Sequence, residues 1–156
     1  MKHSSILSFT PLLIAIALAF VLLSCTSHHP PLEIGGTLTD RQLAESDTML
    51  FVTSASSIEK TYLITIDGIE YEVALNKNGK ISYIQTIDPG FHTDSLRIGS
   101  SLEETQSRAD SELSTERGWG FYYHLPSGWN AVFTVGYTMT DSLPADDAGI
   151  RFFFKR

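Results

Sequence analysis

From Tyr62 onward apolar and polar residues alternate with a period of two, the pattern of half-buried strands. Tyr62, Ile64 and Ile66 alternate with polar neighbours, Asp67-Gly68 supplies a two-residue hairpin turn, and Ile69, Tyr71, Val73 and Leu75 resume against Glu70 and Glu72. This register pairs Ile66 with Ile69, Ile64 with Tyr71 and Tyr62 with Val73, with every apolar pair on one face. At the next turn, a two-residue loop would set Leu75 opposite Ser82 and divide the apolar set. A three-residue Lys77-Asn78-Gly79 loop instead sets Leu75 opposite Ile81, Val73 opposite Tyr83 and Ile69 near Ile87, with Gly79 left-handed. The three-residue loop is therefore expected, and a further strand over 49–53 is expected ahead of this meander.

Asp88-Pro89-Gly90 ends the meander as a turn, and Leu96 and Ile98 offer packing groups in the connection that follows. Ser100-Ser101-Leu102-Glu103-Glu104 contains two overlapping capping boxes and predicts a helix lying on the sheet through Leu102, Ala109 and Leu113. Segments 119–125 and 129–138 flank Pro126-Ser127-Gly128 and predict an aromatic hairpin in which Leu125 faces Trp129, Tyr123 faces Ala131, Phe121 faces Phe133 and Trp119 faces Val135. After a loop over 141–149, Ile150, Phe152 and Phe154 read as a last strand at an edge or beside that hairpin. The expected fold class is α+β: an antiparallel β-sheet, meander plus aromatic hairpin, packed with one principal helix.

The pattern changes at the N-terminus. Lys2 and His3 precede an uninterrupted apolar run over 12–23, and small Ser24 stands before Cys25, the order of a secretory signal. The run is short of the roughly 20 residues of a spanning helix. Leu22-Leu23-Ser24-Cys25 resembles the lipobox of bacterial lipoproteins. The resemblance implies cleavage before Cys25, acylation of its thiol, and, with Thr26 rather than Asp following, an outer-membrane destination with the domain in the periplasm. Cys25 is the only cysteine, so no intramolecular disulfide is possible. The expected organisation is a signal peptide over 1–24, a lipidated N-terminus and flexible tether over 25–47, rich in Pro and Gly, and one globular domain over 48–156. Thr39-Asp40-Arg41-Gln42 has the spacing of a capping box and predicts one short helix within that tether. Residues 97–104 are also similar to the glycine-plus-capped-helix step of small outer-membrane assembly lipoproteins, such as the smallest subunit of the β-barrel assembly machinery. In those proteins the helix precedes the hairpins, so no functional residue carries over.

Beyond Cys25 the chain holds all 18 Asp and Glu against ten Lys and Arg, a net charge of −8. That balance, with no run of basic residues, argues against nucleic acid and against lying flat on anionic headgroups, and makes the acyl group the expected membrane contact. No acidic run points to calcium, and no cofactor is expected.

Candidate chemistry is sparse. His92 and Asp94 stand two apart without an identifiable nucleophile or metal beside them, and no nucleophile elbow, zincin helix or phosphate loop is present. His28 and His29 are adjacent with no further ligand close in sequence, so no metal site is expected. His124 and Asn130 are predicted cross-strand neighbours on the face opposite Trp119 and Phe121. With Tyr122 and Val132 they form the expected contact surface of a non-catalytic module that binds an envelope protein or small ligand. The alternatives are an envelope hydrolase using His92, Asp94 or His124, and a structural spacer.

Overall fold

The computed structural model describes residues 32–156; Cys25, His28, His29 and the signal segment lie outside the described residues. The folded part begins well before Thr48. Leu32 and Leu43 pack on the core, Leu38 is buried within it, and Gly35 and Gly36 exchange backbone hydrogen bonds of 2.8 and 2.9 Å with Ile81. The stretch 32–47, expected as tether, is therefore part of the domain, because its leucines find apolar partners across the sheet. Within it, helix α1 (Asp40–Glu45) has the capping box that Thr39 and Gln42 predict.

Strands β1 (Thr48–Ser54), β2 (Ser57–Ile66), β3 (Ile69–Leu75) and β4 (Ile81–Thr86) form the meander. Asp67 and Gly68 both take positive φ, and the β2–β3 register is the expected one. The Lys77-Asn78-Gly79 loop also forms, with Asn76 N–H on the Lys80 carbonyl at 2.8 Å and Leu75 opposite Ile81. Beyond that pair the register changes. Ser82 is an extra residue, so Val73 faces Ile84 and Tyr83 turns to the other face opposite Ala74. The bulge also removes the expected Ile69–Ile87 contact, leaving Ile87 exposed. Its physical reason is that Tyr83 gains a second apolar cluster of its own.

The chain next forms a small ribbon of β5 (His92–Thr93) and β6 (Leu96–Arg97), turning through Asp94 and Ser95, both at positive φ. Helix α2 (Leu102–Gln106) follows, with Ser101 accepting from the Glu104 N–H at 3.1 Å. It is the expected helix at its start but not in its extent, and among the described residues both helices are short. Only Leu102 and Thr105 are buried in it, and the next turn is polar. The Asp110 N–H leaves the helical direction for the His124 carbonyl, and residues 114–116 are drawn into the sheet as β7 (Ser114–Glu116). Sheet pairing outcompetes a helix with so narrow an apolar stripe.

Strands β8 (Gly120–His124) and β9 (Asn130–Phe133) form the expected hairpin, with Gly128 at φ 79° and the Leu125 N–H on the Trp129 carbonyl. Strand β10 (Phe152–Lys155) is central rather than at an edge. Phe153 lies between Thr86 of β4 and Ala131 of β9, which joins the meander to the hairpin. The eight strands of the main sheet run in the order β1-β2-β3-β4-β10-β9-β8-β7, an antiparallel half-barrel that carries two short helices among the described residues, so this part of the chain is mainly β. Among the described residues no helix is long and apolar enough to cross a membrane.

One face of the sheet carries the main core, including Ile64, Val73, Ile84, Phe121, Phe133 and Phe153, covered by Leu38, Phe91, Leu96, Leu102 and Ile150 from the connections. The other, concave face has a smaller cluster of Ala74, Tyr83, Trp119, Val132 and Phe154. Trp119 is a second departure from the sequence pattern, which places it with Phe121 opposite Val135. Gly120, at φ 156°, breaks the alternation, and Trp119 swings to the face opposite Phe121.

Candidate functional site

The concave face is built by alternation. Residues 74, 83, 122, 130, 132 and 154 point to one side because their neighbours 73, 84, 121, 131 and 153 fill the main core. Trp119 sits edge-on to Phe154, with ring centroids 4.6 Å apart, and to Phe152 at 5.3 Å. Tyr122 is perpendicular to Phe154 at 5.5 Å, and Tyr83 stacks on Phe154 at 6.0 Å. These are favourable edge and offset arrangements of aromatic quadrupoles, and they fix the rings against one another. Arg156 lies 5.2 Å over both Trp119 and Phe154.

Of the four residues expected as a contact surface, the structure leaves three accessible. The His124 Nδ1 lies 3.2 Å from the Asn130 Oδ1, and Asn130 Nδ2–H donates to the Phe154 carbonyl at 3.2 Å, so the predicted cross-strand pair exists and its amide is oriented from below. His124 is exposed, while Asn130 and Tyr122 are half-buried. Val132 has no exposure at all and belongs to the aromatic cluster, which corrects its expected role as a contact residue. The reason is Trp119: once it swings over this face it covers Val132.

The carboxylates show where charge is costly. Glu72 lies on β3 opposite Gln85, with one carboxylate oxygen sealed from water and lacking a hydrogen-bond partner. Burial, reinforced by the negative charge of Glu70, pushes its carboxyl up to about 7. Gln85 accepts instead from the Tyr83 hydroxyl. Burial, with Glu72 adding to it, raises the Tyr83 phenol and keeps it neutral. Across the face, burial alone would raise Glu116. Its hydrogen bonds from Arg156 and from the Ala55 N–H outweigh that and hold it below the usual carboxylate range.

His92 and Asp94 do not come together. His92 is exposed with Nδ1 3.2 Å from the Gly90 carbonyl, whereas the Asp94 carboxylate accepts from the Ser127 hydroxyl and N–H, bracing the 126–128 turn. Among the described residues no cluster of three His, Cys, Asp or Glu is placed to hold a metal ion. The chain matches no family model, no curated protein and no solved structure.

Glu72, Glu116 and Arg156 were not singled out by the sequence. The one signal for Glu72 is its position in the alternation, which places it on the face that a single-sided sheet would leave to water. Glu116 and Arg156 carry no local signal, since their pairing depends on the curl of the whole sheet.

Proposed function

We propose that this chain is an exported bacterial lipoprotein, acylated at Cys25 and held at the outer membrane, whose domain acts as a non-catalytic binding module for an envelope protein or small ligand. Its contact surface is the rim of the concave face at Tyr122, His124 and Asn130. The observation that carries the reading is the combination on that rim: a half-exposed Tyr122 ring beside a closed aromatic cluster, and a hydrogen-bonded His124–Asn130 pair with polar capacity turned outward. An aromatic body with a polar tip on a rigid strand pair loses little entropy on binding. The hydrolase alternative draws less support, because the Asp94 carboxylate is taken up by the Ser127 turn and His92 is exposed without a partner carboxylate.

Two experiments test this. Labelled fatty acid is expected to enter the wild-type protein and not Cys25→Ala, and equal labelling of both would end the lipoprotein reading. In-cell crosslinking followed by quantitative mass spectrometry is expected to enrich one envelope protein that disappears with Tyr122→Ala/His124→Ala. Unchanged enrichment with that variant would remove the rim as the contact surface.

A further inference from the structure

The sheet has two edges, and the chain treats them differently. β7 is three residues long, and its Glu116 is taken up by Arg156 and the Ala55 N–H. β1 is seven residues long and, among the described residues, pairs only with β2. Residues 48–58 contain no charge, proline or glycine, in a chain whose part beyond Cys25 is strongly acidic. Charges, prolines and bulges are what keep an exposed edge from pairing with another strand. Along 48–51, β1 has none of them.

Register decides which backbone groups of β1 face outward. The Leu63 N–H donates to the Asp47 carbonyl at 2.9 Å, in line with the register that sets Thr48 opposite Tyr62 and Leu50 opposite Lys60. Bonded and non-bonded pairs alternate in an antiparallel ladder, so 47, 49 and 51 turn their N–H and C=O to β2, while Thr48, Leu50 and Val52 turn theirs to the free edge. The Val52 carbonyl agrees, since the Trp119 indole reaches it from across the opening of the half-barrel at 3.5 Å. The side chains of the same three residues share a face with Ile58 and Tyr62, the face of the main core, here beyond the cover of the connections. Leu50 is 75% exposed, Ile58 67% and Val52 44%.

We infer that β1 is a self-association edge, to which β1 of a second copy of this chain adds antiparallel about a two-fold axis at Leu50. Leu50 then faces Leu50 of the second copy and Thr48 faces Val52, so that every outward N–H and C=O of these residues is bonded. The Val52 carbonyl has a second lone pair beside the one that Trp119 uses. The β1–β2 register carries the match one strand further, setting exposed Val52 and Ile58 of one copy in a row with Thr48 and Tyr62 of the other. The occupant is a second copy because the edge is self-complementary: its outward groups are symmetric about Leu50, and the pairing sets no charge against its like. Lys60, opposite Leu50 on β2, stands three strand spacings, about 14 Å, from its counterpart, beyond the Debye length at physiological salt. A head-to-tail pairing of β1 with β7 would build an open filament and has only three residues, one of them Glu116, to use. One strand pair about 17 Å long offers less than the roughly 800 Å² per partner of a standard interface, so the dimer is weak and concentration-dependent.

The test uses the full-length chain purified in a mild detergent with micelles in excess over protein. Sedimentation velocity is expected to show the wild type passing from monomer to dimer as its concentration rises. Leu50→Lys and Leu50→Glu should each weaken that association about fivefold or more, since each sets like charges opposite one another. Mixing the two variants should restore it, because position 50 meets position 50. Leu50 is mostly exposed, so unchanged urea midpoints are expected for both variants and show that neither acts by unfolding. Under mild oxidation Leu50→Cys should give a disulfide-linked dimer, the Cα atoms of a bonded antiparallel pair lying about 5.5 Å apart. Ile87→Cys, also exposed but beyond the end of β4, should not exceed the wild-type background set by Cys25. A wild type that stays monomeric at the highest concentration, which would leave this edge to a strand of another protein, overturns the inference. So does a mixture of the Lys and Glu variants that regains no association.

Discussion

Arg156 and Glu116 form an ion pair with a 2.6 Å N···O distance across 40 residues of sequence. The other Glu116 oxygen accepts the Ala55 N–H at 2.6 Å, so one carboxylate ties the β1–β2 turn, the edge strand β7 and the end of β10. Trp119 adds a 3.5 Å hydrogen bond from its indole N–H to the Val52 carbonyl of β1. This seam joins the two edges of an open sheet and protects an otherwise bare edge at that point.

Glu116→Ala is expected to destabilise the protein by about 1–2 kcal/mol, because it leaves the Ala55 N–H and the Arg156 guanidinium without partners. The magnitude is moderate since the pair is partly exposed. Urea titration of wild type, Glu116→Ala, Arg156→Met and the double variant measures the coupling; strict additivity would show that the pair does not bind the edges together. The seam should also depend on pH. The folded Glu116 pKa is depressed, so its contribution is present above the ordinary carboxylate range and fades as pH falls through the lowered value.

Glu72 should act in the opposite sense. Its folded pKa is raised to about 7 from 4.5, so the fold favours the protonated acid. That stability is fully present below the unfolded pKa and is lost as pH rises from about 4.5 to about 7. With solvent screening, the loss is of order 1–3 kcal/mol. Glu72→Gln should stabilise the protein at pH 8 and flatten this part of its pH–stability curve. Parallel urea curves for the two proteins at both ends of the window would rule out a stressed carboxyl at this position.

Alternation made β2, β3 and the aromatic hairpin between Phe121 and Phe133 legible down to residue pairs, because turn chemistry at Asp67-Gly68 and Pro126-Ser127-Gly128 fixes register locally. The strands' second face was not legible. Ser82 inserts a bulge and Gly120 reverses Trp119, and both depend on contacts between residues distant in sequence, such as Tyr83 with Phe154 and Trp119 with Val52. Helix α2 shows the converse limit: its cap at Ser101 is a local signal and forms, but its length is decided by β7 joining β8. The His124–Asn130 pair followed from register alone, whereas the burial of Val132 required knowing what covers that face.

Gly120→Ala tests the reversal at Trp119. A Cβ at this position would lie 2.8 Å from Val132 Cγ1 and 3.0 Å from the Phe133 carbonyl oxygen. Val132 is fully buried and the carbonyl is held in the sheet, so neither retreats easily. A loss of about 1–3 kcal/mol is expected, with a change in tryptophan fluorescence as Trp119 leaves its aromatic neighbours. Unaltered stability and emission would mean that the backbone at Gly120 does not set the position of the indole.

Function and stability should separate on this face according to burial. His124 is exposed and its loss removes one hydrogen bond to Asn130, so His124→Ala is expected to change stability by no more than about 0.5 kcal/mol. Val132→Ala removes two buried methyl groups from contact with the second aromatic cluster and should cost about 1–3 kcal/mol. If the rim binds a partner, His124→Ala weakens capture of that partner at unchanged stability. Val132→Ala, compared at a temperature where it is fully folded, leaves capture intact. The reverse outcome, with capture tracking stability alone, would move the contact surface away from this rim, because a buried valine can influence binding only through the rings packed upon it.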